Sequence, residues 1–343
     1  MLGVFNEDKE CVSRTLRSFK TKKERRKQMH NLLIFSTQAS NYFSLLIAKH
    51  LGICGHGEIV RRVFGGGEKY YRIGVEKKTG LLGRDVVFVG SAHTDDDLEE
   101  LYRIGRALVG YGARRIIFVI PFLGYSTMDR AASPGEVVTA KTVACKLSAI
   151  PSGDMRNTFL MMDLHVSGLV HYFEGNCLRF ELSSEDILLE TIKKMNYADN
   201  FVVGTGDLGR PKLVKIFAKK LGTNFVLVDK DREFEKVVAN GVIGDVQGKL
   251  VFIYDDMTRS GDTLVEAATV CRKAGAVAVG AVLNHLALNN EGVARKLSSS
   301  LFGVISTNTH SMSRCGAVRN SDKFVIKDVS GIFADSIKSI LNY

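Results

Sequence analysis

Two adjacent carboxylates close an apolar run in the segment Val251-Phe-Ile-Tyr-Asp255-Asp256-Met-Thr258-Arg259-Ser260-Gly261-Asp262-Thr263. Such carboxylates can accept hydrogen bonds from vicinal sugar hydroxyls. The small residues after them open a helix whose backbone N–H groups and Ser/Thr hydroxyls favour an anion. The ligand that fits both halves of the segment is a sugar phosphate. The segment also reads as a helix N-cap whose acids complement the helix dipole. Two neighbouring acids after four apolar residues are, however, unfavourable to place unless something binds them.

Three other turns carry chemistry of the same kind. Phe159-Leu-Met-Met-Asp163-Leu164-His165 ends a second apolar run in an acid and an imidazole, expected to share one face of an extended chain. That pair can hold a divalent metal or a nucleotide phosphate, although a strand-end histidine also serves as a satisfied structural residue. Gly204-Thr-Gly206-Asp207-Leu-Gly209, with Asp229 beyond it, fits a dinucleotide-binding fingerprint and carries the alternative of a nicotinamide-dependent oxidoreductase. In Val228-Asp229-Lys230-Asp231-Arg232-Glu233 two cations stand two residues apart. Phosphoryl transfer depends mostly on positioning and charge stabilisation, which makes Lys230 and Arg232 candidates; a solvated charge run is the plainer reading.

These turns need strands to end in them and helices to begin after them. Apolar, β-rich runs predict strands at 32–35, 86–90, 115–120 and 159–164, and again at 201–203, 225–228, 250–254 and 277–283. Amphipathic stretches predict helices at 96–109, 136–148, 211–221, 263–274 and 331–341. Near-continuous apolar strands separated by helices imply mostly parallel sheets covered on both faces, and in such sheets ligands bind beyond the carboxyl ends of the strands. The expected fold class is α/β, with two similar domains. A basic arm takes residues 1–30, an N-terminal domain 31–175 and a C-terminal domain 176–343; the helix at 331–341 could pack on either domain.

Composition narrows the function classes. The chain has 343 residues, 45% of them hydrophobic, with a net charge of +10. Nine basic and four acidic residues in the first 30 place +5 there and leave +5 for the rest. A basic core suits a phosphorylated ligand, while the arm reads as a solvated extension. With no stacking-aromatic series and no zinc-finger or RNA-binding signature, no nucleic-acid partner is expected. No apolar stretch reaches membrane-span length, so no membrane association is expected. Six scattered cysteines without a CxxC pair argue against a disulfide scaffold and a four-cysteine zinc site. A reducing, cytoplasmic location is the expectation; Glu7, Asp8, Glu10 and Glu24 count against a mitochondrial presequence.

Taken together, these segments resemble the ribose-phosphate diphosphokinases, the phosphoribosyl pyrophosphate (PRPP) synthetases. Asp255-Asp256 with Ser260-Gly261-x-Thr263 resembles their phosphoribosyl-diphosphate motif, and Asp163-Leu-His165 their metal and ATP motif. Pro121-Phe-Leu-Gly124-Tyr125, then Asp129-Arg130 and Thr139-Ala140-Lys141, resembles the ATP loop and its helix. Thr205-Gly-Asp207-x-Gly209, Lys230-x-Arg232, Gly244-Asp245-Val246-x-Gly248 and the stretch from Phe64 to Glu68 find counterparts in the same order. The resemblance implies a type I phosphoribosyltransferase-like fold and transfer of the β,γ-diphosphoryl group of ATP to O1 of ribose 5-phosphate, with Mg²⁺. It implies a homo-oligomer, hexamer or dimer. By the same resemblance Asp255, Asp256, Arg259, Ser260, Gly261, Asp262 and Thr263 would bind ribose 5-phosphate. Phe64, Glu68, Thr127, Met128, Asp129, Arg130 and His165 would bind ATP, with Phe64 and Glu68 supplied by a neighbouring subunit. Asp163, His165 and Asp207 would bind the metal, and Lys230 and Arg232 would be catalytic.

The chain departs from that pattern at several positions. Thr127 and Met128 stand where an Arg-Gln pair is usual, Arg259 where Asp is usual, Asp262 and Arg210 where Gly is usual, and Gly66 where Asp is usual. These departures leave open a catalytically weak regulatory paralogue that assembles with an active synthetase. Retention of Lys230, Arg232, His165 and Asp255 favours activity.

Overall fold

The computed structural model describes residues 31–53, 56–75, 79–195, 200–206, 211–228 and 241–341. Asp207, Lys230, Arg232 and the basic arm lie outside the described residues. The first sheet orders its strands β1 (Leu32–Ser36), β4 (Asp85–Val89), β5 (Arg115–Ile120), β6 (Asn157–Met162) and β7 (Cys177–Leu182), all parallel. Every residue of β4, β5 and β6 is buried, as expected of strands covered on both faces. A separate antiparallel hairpin, β2 (Ile59–Val63) and β3 (Lys69–Ile73), stands beside the sheet.

Helix formation follows from the side chains. In α2 (Asp95–Gly110; α1 is Asn41–Leu51), Leu98, Leu101, Ile104 and Leu108 fall on one face and are buried. Burying each such side chain is worth roughly 1.5–3 kcal/mol. The Thr94 hydroxyl caps this helix by accepting from Asp97 N at 3.2 Å, and Asp95, Asp96 and Asp97 complement its dipole. α3 (Thr139–Ser148) packs on the same side, where Phe118 and Phe159 stack with centroids 4.8 Å apart.

The second sheet runs β10 (Val242–Ile243), β9 (Phe225–Val228), β8 (Phe201–Thr205), β11 (Leu250–Thr258), β12 (Ala278–Leu286), β13 (Val304–Thr307) and β14 (Phe324–Lys327). Only the β10–β9 pair is antiparallel. The helices after β7 are α4 (Glu185–Lys194), α5 (Pro211–Leu221), α6 (Asp262–Lys273), α7 (Glu291–Ser300), α8 (Gly316–Arg319) and α9 (Ser330–Leu341).

One feature of connectivity differs from the expected division, and a second decides between the two packings open to the last helix. A boundary at 175/176 assigns residues 177–182 to the second half, yet β7 pairs with β6 along its whole length and closes the first sheet. Arg179 and Glu181 break the continuous apolar pattern of a buried strand, and Leu178 and Phe180 are half-exposed, because β7 is an edge. The chain also returns at its end. α9 packs against α1 on the first sheet, Phe333 meeting Phe43 edge-on at 5.5 Å. No helix among the described residues is long and apolar enough to cross a membrane.

Candidate functional site at the facing strand ends

The carboxyl ends of β6 and β11 meet across the two sheets. β6 stops at Met162, and Asp163 takes a left-handed conformation (φ 42°), sparsely populated for a residue with a side chain. That turn sends Asp163 and His165 in different directions, so they do not share the face that an extended chain would give them. The Asp163 carboxylate accepts from Ser184 N at 3.0 and 3.2 Å and from Ser184 Oγ at 2.5 Å. His165 instead places Nδ1 2.7 Å from Oδ2 of Asp256, joining the two sheets. A second tie runs from His285 Nε2 to the Asp163 carbonyl at 3.1 Å, and a third from Asn284 Nδ2 to Ser184 Oγ at 3.0 Å.

β11 runs through to Thr258, four residues beyond the expected end at 254. Successive side chains on a strand point to opposite faces. The adjacent carboxylates therefore leave the strand on opposite faces. Asp256 is buried and turned to His165. Asp255 lies beside Gly206: a Cβ at Gly206 would sit 3.3 Å from Asp255 Oδ2 and 3.0 Å from Thr263 Cγ2. The expected ribose-phosphate residues Asp255 and Thr263 thus converge at a point that only glycine leaves open.

The turn into α6 is held from behind. Gly261 adopts φ 75°, and any Cβ there would press on Leu297 at 3.0 Å. Ser260 is exposed, and its Oγ accepts from Asp262 N at 3.3 Å. Asp262 pairs with Lys296. That ammonium, with Ser260, holds the Asp262 carboxyl below its ordinary range. Arg259 is exposed, and its Nη1 donates to Thr127 Oγ1 at 3.2 Å across 132 residues of sequence.

Thr127, Met128, Asp129 and Arg130 follow β5 and form the opposing lip. The Asp129 carbonyl accepts from Tyr172 Oη at 2.7 Å, and the Met128 carbonyl from Ala140 N at 3.2 Å, which fastens the loop to its neighbours. Tyr125 donates to Asp95 Oδ1 at 2.5 Å, and this bond pushes its phenol up to about 12. Phe64 and Glu68 stand apart. Phe64 is half exposed at the tip of the β2–β3 hairpin, 5.5 Å from the ring of Tyr70. Among the described residues no hydrogen bond, ion pair or ring contact joins Phe64 or Glu68 to the facing strand ends.

A cleft of about 680 Å³ opens at this junction, lined by His165, Glu185, Lys212, Tyr254, Asp256 and Asn284 among others. Sequence reasoning did not single out Glu185, Lys212, Tyr254 or Asn284. Asn284-His285 directly follows the apolar run 277–283, a signal akin to the one that marked Asp163 and His165, although Leu286-Ala287-Leu288 continue it. A roomier cleft of about 1260 Å³ lies between β7 and α9. It sits against a sheet face, away from the strand ends where parallel sheets bind ligands.

Histidines also brace the junction. His93 and His310 meet at right angles with ring centroids 4.0 Å apart, and Phe122 lies 5.6 Å from His93 and 5.0 Å from His310. Burial, then the neighbouring His93, His285 and Arg259, holds the His310 imidazole well below its ordinary range; burial lowers His93 as well. Both ring nitrogens of His93 are buried without a hydrogen-bond partner.

Asp163, His165 and Asp207 are the expected metal ligands. Among the described residues no three His, Cys, Asp or Glu side chains are arranged to hold a metal ion, and Asp207 lies outside them. Asp163 is directed to Ser184. Mg²⁺ commonly takes only one or two protein carboxylates, completing its shell with water and substrate phosphates. The oxygen donors around the cleft fit that mode of binding.

Two mostly parallel sheets flanked by helices, with strand ends facing one another, are the architecture of the type I phosphoribosyltransferase-like class. The fold is similar to that of the phosphoribosylpyrophosphate synthetase from Mycobacterium smegmatis, with TM-score 0.79 and 24% identity, covering 90% of this chain and 98% of that one. Residues 32–150 match the N-terminal domain of ribose phosphate pyrophosphokinase, and 229–343 the phosphoribosyl synthetase-associated domain. The ribose-phosphate pyrophosphokinase of Chlorobaculum tepidum is 33% identical over 274 residues, 78% of this chain and 80% of its own. That of Wolinella succinogenes is 32% identical over 316 residues, 91% of this chain and 96% of its own. The chain belongs to the ribose-phosphate pyrophosphokinase family. Neither the oxidoreductase nor the regulatory alternative is needed.

Proposed function

We propose that this chain is a diphosphotransferase that moves the β,γ-diphosphoryl group of ATP to O1 of ribose 5-phosphate, giving PRPP and AMP. The observation that carries this reading is the facing of two unlike turns. The β11 turn offers Asp255, Ser260, Gly261 and Thr263 at the N-terminus of α6, and the loop of Thr127 lies across the junction, joined to it by Arg259.

In this reading Asp255 receives the sugar hydroxyls, with Asp256 behind it fixing His165. Ser260, Gly261 and Thr263 bind the 5-phosphate, and Lys296 neutralises Asp262 so that its carboxylate does not repel that phosphate. Thr127, Met128, Asp129 and Arg130 line the nucleotide side with His165. The O1 hydroxyl oxygen attacks the β-phosphorus and gives its proton up to solvent, while the bond from that phosphorus to the bridging α–β oxygen breaks and AMP leaves with that oxygen, so no protein nucleophile is required. Lys230 and Arg232 stabilise the charge on the transferred group. When bound, Mg²⁺ offsets polyphosphate charge; His165 and Asp207 would hold it with substrate oxygens. Asp163 shapes the strand end through Ser184. Phe64, exposed on its hairpin, and Glu68 reach the adenine side of a neighbouring subunit in a homo-oligomer, dimer or hexamer, and the enzyme works in the cytoplasm.

The test is formation of AMP and PRPP from ATP and ribose 5-phosphate with Mg²⁺. Lys230→Ala is expected to lower kcat by about 100-fold and to change either KM by only a few-fold, because the cation acts mainly in the transition state. A folded protein that makes no PRPP overturns the reading. An unchanged kcat in Lys230→Ala removes the role given to that lysine.

A further inference from the structure

Arg259 stands in sequence with the ribose-phosphate turn, but its side chain does not stay there. Its guanidinium crosses to the opposite lip and donates to Thr127 Oγ1 at 3.2 Å. The residue is held at both ends, because the Arg259 carbonyl also accepts from Asn289 N at 3.0 Å. Among the described residues no carboxylate pairs with the guanidinium. The acid nearest in sequence, Asp262, is taken by Lys296. An exposed cation is therefore anchored by a neutral hydroxyl at the junction of the two sheets, its charge reaching buried His310.

Guanidinium presents five N–H donors in a fixed fork suited to phosphate oxygens. The bond to Thr127 uses one of them and sets the direction of the others. We infer that Arg259 binds the polyphosphate of the nucleotide, not the 5-phosphate of the sugar, and that Thr127 positions it. This inference rests on the proposed function for the identity of the nucleotide. The 5-phosphate is left to Ser260, Thr263 and the start of α6, on the other side of the turn.

Steady-state kinetics of the full-length chain test the assignment. Arg259→Ala is expected to raise KM for ATP about tenfold, the usual scale for losing a hydrogen bond to a charged group. KM for ribose 5-phosphate should stay within twofold, and Arg259→Lys should recover part of the loss. Thr127→Val should raise KM for ATP by about threefold with kcat retained. A rise in the ribose 5-phosphate KM as large as that for ATP overturns the inference, and so does no change in either. Titration of Mg·ATP and of AMP separates this failure from failure of the function. Even in a chain that makes no PRPP, Arg259→Ala should weaken Mg·ATP about tenfold and AMP by less than twofold. Equal weakening of both nucleotides, or of neither, overturns it.

Discussion

At the end of β6, Asp163 directs its carboxylate to Ser184 and His165 turns to Asp256. At the end of β11, Arg259 and Ser260 stay exposed and Thr263 is half-buried beside Asp255. Both turns read alike in sequence, as an apolar run ending in acids and small or polar residues, but they are built for different work. The side chains of the β6 turn tie the two sheets together; those of the β11 turn are left open, which suits the ribose 5-phosphate that the proposed function places there. The backbone makes the difference. A left-handed residue at Asp163 splits its two functional side chains, whereas nine extended residues carry β11 past both carboxylates before the turn begins.

Removing Asp163 tests the joint most severely. Asp163→Ala loses the charge-assisted bonds from Ser184 and leaves alanine at φ 42°, for an expected destabilisation of about 3 kcal/mol in urea unfolding. Asp163→Asn, which tolerates the left-handed region and keeps an acceptor, should lose about half as much. If Asp163→Ala instead unfolds with the wild-type midpoint and alters only the Mg²⁺ dependence of turnover, the β6 turn faces ligand and the contrast between the two turns fails.

The histidines that meet beside these turns, after β4 and β13, give a pH signature of smaller size. His93 and His310 are lowered by burial, so between their folded values and the ordinary 6.5 the unfolded chain binds more protons. Stability is therefore full above pH 6.5 and falls as the pH drops below it. Each histidine contributes a slope of up to about 1.4 kcal/mol per pH unit. Urea unfolding from pH 8 to pH 5.5 should be flat and then decline, and His93→Phe with His310→Phe should flatten the decline. An unchanged slope in the double variant would place the pH dependence elsewhere and remove the histidines from the joint.

Much of this was legible in the sequence because hydrophobic burial has a simple period. The runs that form β4, β5, β6, β8 and β9 are apolar enough to mark themselves, and Pro211 marks the start of α5. That chemistry sits in strand-ending turns followed from the rule that parallel sheets bind at their carboxyl ends. What the sequence could not carry was local backbone geometry and cross-chain pairing. No pattern says that Asp163 goes left-handed, that β11 runs on through Asp255 and Asp256 to Thr258, or that Arg259 crosses to Thr127 over 132 positions. Strand β7 escaped because Arg179 and Glu181, tolerated on an edge strand, remove the continuous apolar signal of its neighbours. Arg259 also shows that a missing cation in one loop is not a missing cation in the site: the side chain that reaches the Thr127–Met128 lip comes from the opposite turn.

The smallest effect bears on the receptor turn itself. Asp262 places an anion at the start of α6, where a bound 5-phosphate would meet it, and Lys296 offsets that charge. Lys296→Ala should leave the fold intact and raise KM for ribose 5-phosphate by about two- to threefold, with KM for ATP unchanged. The increase should shrink as salt is added, because the charges are exposed and screened. Lys296 and Ser260 keep the Asp262 carboxyl below its ordinary range, so in the wild type it is ionised throughout pH 5–8. In the variant its ordinary value still lies below that window. The KM ratio between variant and wild type should therefore be flat with pH, and Lys296→Ala combined with Asp262→Asn should return it to wild type. A KM effect on ATP in place of ribose 5-phosphate would mean that the phosphate held at α6 belongs to the nucleotide, and the two lips of the site would have to exchange ligands.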